Sequence, residues 1–157
     1  MPTYHLIPHT HWDREWYLPR AAFGARLVAM VDDLSERLER DPAIRTFHLD
    51  GQTVLLEDYV ALRPGREPRV RRLVEAGRIV TGPWYVLADE QIPSGEGLLR
   101  NLLLGQRDLR TWGTTAPVCY SPDAFGHPAA LPQLAGECAI RWAVVWRGHA
   151  GARDLFR

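Results

Sequence analysis

What most limits the fold of this chain is its alternation of short β-prone runs with helical stretches. Tyr4 to Pro8 is an apolar run that reads as a strand. From about Ala21 to Leu38, Leu27, Val31, Leu34 and Leu38 fall at i, i+4, i+7 and i+11, which predicts an amphipathic helix. Asp41-Pro42 ends it, because the residue before proline is pushed out of helical conformation. The same reading predicts strands over Thr46 to Leu49, Arg78 to Thr81, Pro117 to Tyr120 and Ala143 to Trp146. Helices are predicted over Thr53 to Leu62, Pro68 to Ala76, Ser94 to Thr111 and Ala129 to Cys138, with Ser94 as an N-cap. Strands that alternate with helices predict an α/β fold, a mostly parallel sheet covered by helices.

In such folds chemistry gathers beyond the carboxyl ends of the strands. His9, His11, Asp13 and Trp16 follow the first predicted strand, and Asp50 the second. Trp84, Tyr85 and Asp89 follow the third, Asp123 and His127 the fourth, and Arg147 the fifth. The polar and aromatic residues therefore collect at one end of every strand, as a site there would require.

Charge and cysteine content narrow the function classes. Acidic and basic residues balance at 19 each, so no overall field favours nucleic acid or an anionic membrane. All the basic residues are Arg, which removes lysine chemistry. Cys119 and Cys138 form no CxxC pair and read as reduced thiols of a cytoplasmic protein. No apolar run nears the roughly 18 residues of a membrane span.

Three stretches carry the candidate chemistry. Pro8 to Tyr17 packs two imidazoles, two carboxylates, a guanidinium and three aromatic rings into ten residues. Buried charges are costly unless paired or metal-bound, so no ordinary core needs such a segment. In extended backbone His9, His11 and Asp13 alternate by two and point the same way, offering donors to a divalent ion. In Tyr120 to His127, Asp123 sits on a Pro/Gly-rich turn just after a strand. It could be a metal ligand, a nucleophile, both, or a cap of the next turn. In Gly82 to Tyr85, Trp84 and Tyr85 could hold the apolar face of a sugar or simply pack in the core; Trp16, set among charges, is the better candidate for an exposed platform. Arg147 ends an apolar strand and needs a carboxylate partner if it belongs to a site.

Taken together, HTHWDREWY, LDGQTVLLEDY, GPWYVLADE, YSPDAFGHPAALPQL and VVWRG resemble, in order, the N-terminal catalytic region of glycoside hydrolase family 38, the alpha-mannosidases. The likeness runs from about Tyr4 to Gly148 and is closest to the bacterial branch that includes mannosylglycerate hydrolases. It implies zinc held by His11, Asp13 and Asp123, with Asp123 also the nucleophile. It further implies Trp16 stacking on the sugar and Arg147 beside the nucleophile, with His9 outside the ligand set. The implied fold is an incomplete parallel β/α barrel-like domain, the first five β/α units of a larger one. Family members are much longer, and their fourth zinc ligand and acid/base lie downstream of the matched region. The expectation is therefore an N-terminal fragment of the catalytic domain over residues 1–157, with an alpha-mannoside as substrate and a homo-oligomer possible for the full-length protein. A metal-dependent sugar deacetylase is the competing enzyme class, since it also sets Asp and His on a β/α scaffold but activates a water instead. A non-catalytic sugar- or metal-binding remnant is a third reading.

Overall fold

A computed structural model of the chain describes residues 2–148. Helix α1 spans Arg20–Arg40 and buries Leu27, Val31, Leu34 and Leu38, the stripe that its spacing predicts, together with Phe23. Then follow β1 (Phe47–His48), α2 (Val54–Leu62), a single 3-10 turn (Pro64–Arg66), α3 (Glu67–Glu75) and β2 (Ile79–Val80). Helix α4 (Gly95–Thr111), β3 (Val118–Ser121), α5 (Leu131–Glu137) and β4 (Trp142–Val145) complete the described elements. Ser94 caps α4 as expected: its hydroxyl oxygen accepts the Gly97 amide at 3.1 Å.

The strands are parallel, but they form two separate pairs. β1 pairs with β2 through Phe47–Ile79 and His48–Val80, and β3 pairs with β4 over four residues, from Val118–Trp142 to Ser121–Val145. The continuous five-stranded sheet expected from the sequence is therefore not formed among the described residues. The predicted first strand also needs correction. Tyr4 to Pro8 is not a strand; His9 alone makes a parallel bridge to His48, backed by Thr10 N–H donating to the His48 carbonyl at 3.1 Å and His48 N–H to the Pro8 carbonyl at 2.9 Å. Its apolar side chains Tyr4, Leu6 and Ile7 stand exposed, so nothing packs against this run to extend the pairing.

Two apolar cores hold the elements. The first fills the space between α1, α2, α3 and the β1–β2 pair, with Leu27, Val31, Leu55, Tyr59, Val70 and Ile79 all but fully buried. The second lies between α4, α5 and the β3–β4 pair, around Leu98, Leu102, Cys119, Leu131 and Ile140. Trp84 belongs to it. With 1% of its surface exposed and its indole N–H donating to Ser121 Oγ at 3.1 Å, it is a core side chain, not an open sugar platform. Its ring is the largest apolar surface in the Gly82–Tyr85 turn, and the second core closes over it. Both cysteines are free thiols; Cys119 is buried, and burial pushes its thiol up to about 12. No helix among the described residues is long and apolar enough to cross a membrane.

Candidate metal and sugar site

The site is built where the loops after β1, β2, β3 and β4 meet the segment that precedes α1. His11 Nε2 lies 3.6 Å from Asp13 Oδ1 and 3.5 Å from Asp123 Oδ2. One donor atom from each of these residues lies within 4.8 Å of the others. A cation bonds such donors at about 2.0–2.2 Å, so a group this tight can close on one ion with small side-chain adjustments. The donor set, one imidazole nitrogen and two carboxylates, suits zinc or a similar divalent ion.

His11 is aimed from behind. Its Nδ1 lies 3.4 Å from Asp50 Oδ2, and Asp50 has no exposed surface. Asp50 is itself fixed by three donors: the Trp12 amide at 2.8 Å, the Gln52 side-chain amide at 3.0 Å and the Gly51 amide at 2.8 Å. A hydrogen on Nδ1 facing Asp50 leaves the Nε2 lone pair toward Asp13 and Asp123, the arrangement by which outer carboxylates orient metal-binding histidines. The Asp50 carboxylate raises the proton affinity of His11 above the ordinary imidazole value, aided by Asp13 and Asp123 and opposed by burial.

Asp123 has a second partner. Arg147 Nη2 donates to Asp123 Oδ1, and the guanidinium lies over the Phe125 ring, 3.9 Å from its centroid. The strand-end arginine thus finds its carboxylate. The loop that carries Asp13 is tied down independently: Arg14 donates to both oxygens of Asp58 on α2 at 2.7 and 2.9 Å, and Arg20 adds a third bond at 2.6 Å.

A cleft of roughly 300 Å³ opens beside these residues, lined by His11, Asp13, Asp123, Phe125, Gln52 and Asp89 among others. That is the low end of the range for ligand clefts, about 300–1,000 Å³, and suits a single sugar ring. None of the aromatic residues expected there, Trp16, Trp84 and Tyr85, lines the cleft, whereas Phe125 does. Trp16 is 75% exposed, with its edge against Tyr17 at 5.0 Å between centroids, and does not line it. Tyr85 turns toward α2, its hydroxyl donating to Glu57 at 3.1 Å. His9 bonds through Nδ1 to the Tyr120 hydroxyl at 3.0 Å and is not grouped with the three donors.

The sequence places Asp50 at a strand end without assigning it a role, and does not single out Glu90. Asp50 follows a strand, and that position was its only signal. Glu90 is buried beneath the site, between Ser121 and His127. Nothing in the local sequence separates it from its neighbour Asp89.

Comparison with known proteins places the chain in a family. The model of the glycosyl hydrolases family 38 N-terminal domain matches residues 1–154. A protein of Halalkalibacterium halodurans, whose mannosylglycerate hydrolase name is itself provisional, is 46% identical over 93% of this chain. The human alpha-mannosidase 2C1 is 30% identical over 98% of it. The crystal structure of an alpha-mannosidase from Enterococcus faecalis V583 superposes with a TM-score of 0.86 at 39% identity over 88% of the chain. In each case this chain spans 16% of the relative's length.

Proposed function

The chain belongs to glycosyl hydrolase family 38, and from that premise we propose that residues 1–157 supply the nucleophile and three metal ligands of a metal-dependent retaining alpha-mannosidase. The observation that carries the reading is the convergence of His11 Nε2, Asp13 Oδ1 and Asp123 Oδ2 beside a ring-sized cleft. Asp123 attacks the anomeric carbon; the glycosidic C–O bond breaks as a second carboxyl group protonates the leaving oxygen. Water activated by that same group then releases the sugar from Asp123 with its configuration retained. Arg147 fixes the plane of the Asp123 carboxylate and offsets its charge. His11, Asp13 and Asp123 would hold the divalent ion, zinc by family resemblance, which supplies Lewis-acid binding of the sugar hydroxyls.

The acid/base and a fourth ligand, on this reading, lie outside these residues. Glu90 is no substitute, since it is buried and engaged by both Ser121 and His127. Residues 1–157 form the N-terminal part of a catalytic domain, and a longer chain completes its barrel-like sheet. The substrate is an alpha-mannoside, and the free thiols fit a cytoplasmic protein. Membership of a glycosyl hydrolase family weighs against the sugar deacetylase alternative.

The test uses a full-length family 38 enzyme whose N-terminal segment is residues 1–157. A mannosyl inhibitor that leaves a slowly hydrolysed glycosyl-enzyme should label Asp123, read by mass spectrometry of the peptide. Asp123→Ala should abolish hydrolysis of an aryl alpha-mannoside. Labelling elsewhere, or near-normal turnover by that variant, would show that Asp123 is not the nucleophile.

A further inference from the structure

A buried polar chain runs beneath the site without touching the sugar cleft's ligand group. Trp84 Nε1 donates to Ser121 Oγ, Ser121 Oγ donates to Glu90 Oε1, and Glu90 Oε2 meets His127 Nδ1 at 2.7 Å. His127 Nε2 then meets the backbone carbonyl of Arg147 at 2.9 Å. The Glu90 and His127 side chains are only 2% and 4% exposed. A carbonyl oxygen only accepts, so His127 Nε2 carries a hydrogen; a single further proton lies between Nδ1 and Oε2. Satisfied networks of this kind in a low-dielectric interior are rigid.

Arg147 needs such a hold. Among the described residues, its Nε is buried without a partner, and its guanidinium meets only Asp123 and the face of Phe125. The direction of its side chain is therefore set by its backbone. That backbone is seated on the loop after β3. Gly148, at φ +81°, lies so close that a Cβ there would stand 2.6 Å from the Gly126 nitrogen and 2.8 Å from the Ala124 carbonyl oxygen.

We propose that Glu90 and His127 are positioning residues, which hold the Arg147 backbone on the Asp123 loop and so set the geometry of the Asp123–Arg147 pair. The proposal rests on the alpha-mannosidase reading for its kinetic consequence, but its structural content stands apart from it. His127→Ala and Glu90→Ala both cut the link between the loops after β2, β3 and β4. A reacting group displaced by about 1 Å loses on the order of 10²-fold in rate. Glu90→Gln is the informative partner: its carbonyl oxygen can accept from Ser121 and its amide can donate to Nδ1 of neutral His127, leaving Nε2–H on the Arg147 carbonyl.

The experiment uses the same full-length enzyme, with zinc content, kcat and KM for an aryl alpha-mannoside, and crystal structures of each variant. Expected are kcat lowered about 10²-fold in both alanine variants, with KM within about twofold and zinc retained. Glu90→Gln should recover at least about tenfold of the loss, and the double alanine variant should be no worse than either single one. The crystal structures should show Arg147 drawn off Asp123 in the alanine variants and on it in Glu90→Gln. Zinc content falling in step with kcat, or Arg147 unmoved in the alanine structures, would overturn the proposal. If the parent enzyme proves inactive on mannosides, the functional reading fails, and the crystal structures still decide the positioning role.

Discussion

At the scale of single residues, Asp50 is constrained by its backbone, its burial and its hydrogen bonds together. It is a non-glycine residue at φ +135°, a conformation of the order of 1–3 kcal/mol above relaxed backbone, and it is fully buried. What offsets the strain is its hydrogen bonding: donors from Trp12, Gln52 and Gly51, and His11 Nδ1 nearby, all turn toward two carboxylate oxygens. An amide offers one acceptor oxygen and two donors, so Asp50→Asn sets donor against donor. Zinc affinity, measured by chelator competition in the full-length enzyme, should drop about 10- to 100-fold, as when outer partners of metal ligands are removed. Unchanged affinity in a folded variant would remove Asp50 from the site. His48 makes a second residue-scale case. Burial, with help from His9 and against the pull of Asp50, holds its imidazole below its ordinary range. Among the described residues its Nδ1 is buried without a partner, and its ring packs on Tyr120 with centroids 4.5 Å apart. The unfolded chain, titrating near 6.5, therefore binds more protons below that pH than the folded one. The His48 contribution to stability is steady above about pH 6.5 and is lost as pH falls from there toward the folded value. His48→Phe keeps the ring packing and removes the titration. Urea midpoints at pH 7.5 and 5.5, taken at low protein concentration, should fall less in the variant than in the parent; equal falls would contradict the burial argument.

At the scale of elements, the helices and the four strands after Tyr4 to Pro8 were legible, and the way the strands join was not. Helix α1 announces itself because 3.6-residue spacing puts Leu27, Val31, Leu34 and Leu38 on one face, and burial of that face is what stabilises it. β1 and β2 lie inside the strands expected over Thr46 to Leu49 and Arg78 to Thr81 but are only two residues long each, and a pairing that short leaves no pattern from which its neighbours in the sheet could be read. Tyr4 to Pro8 has the composition of a strand but lacks a packing partner, which composition cannot disclose. The site divides along the same line. Strand ends and residue chemistry marked His11, Asp13 and Asp123 as candidates together with His9, and it was the family resemblance that set His9 aside. The burial of Trp84, the Asp50 contact and the Glu90–His127 link depend on partners tens of residues away. Ser94 is where local sequence alone decides. Ser94→Ala removes the acceptor for the Gly97 amide and should lower unfolding free energy by about 1 kcal/mol. Ser94→Asp should restore most of it, since an acidic cap also suits the positive end of α4. A urea titration that shows no loss in the alanine variant would mean that α4 is held wholly by its packing.

At the scale of the whole molecule, the most telling feature is apolar surface left open. A cleft of roughly 760 Å³ lies against the strand pairs, lined mostly by apolar side chains that include Ile7, Val80, Val118, Val144 and Trp146. On β4 and just after it, Trp142, Val144 and Trp146 are exposed, Trp146 by 80%, and no strand pairs with the far edge of β4 among the described residues. An unpaired, apolar strand edge is a site for association between copies. Relatives are about six times as long as this chain. On the proposed reading, these residues supply three metal ligands and the nucleophile but neither the fourth ligand nor the acid. The purified 157-residue chain should therefore associate in a concentration-dependent manner in sedimentation velocity and should not hydrolyse an aryl alpha-mannoside with added zinc. Val144→Lys and Trp146→Arg together should reduce the association, because both side chains are solvent-facing and a charge there opposes edge pairing. A chain extended through the missing ligand and acid should hydrolyse the same substrate. Robust zinc-dependent turnover by the short chain, lost in Asp123→Ala, would mean instead that a carboxylate within these residues serves as the acid. Asp89 would then be the first to test, since it lines the cleft beside Phe125, whose amide donates to it at 3.0 Å.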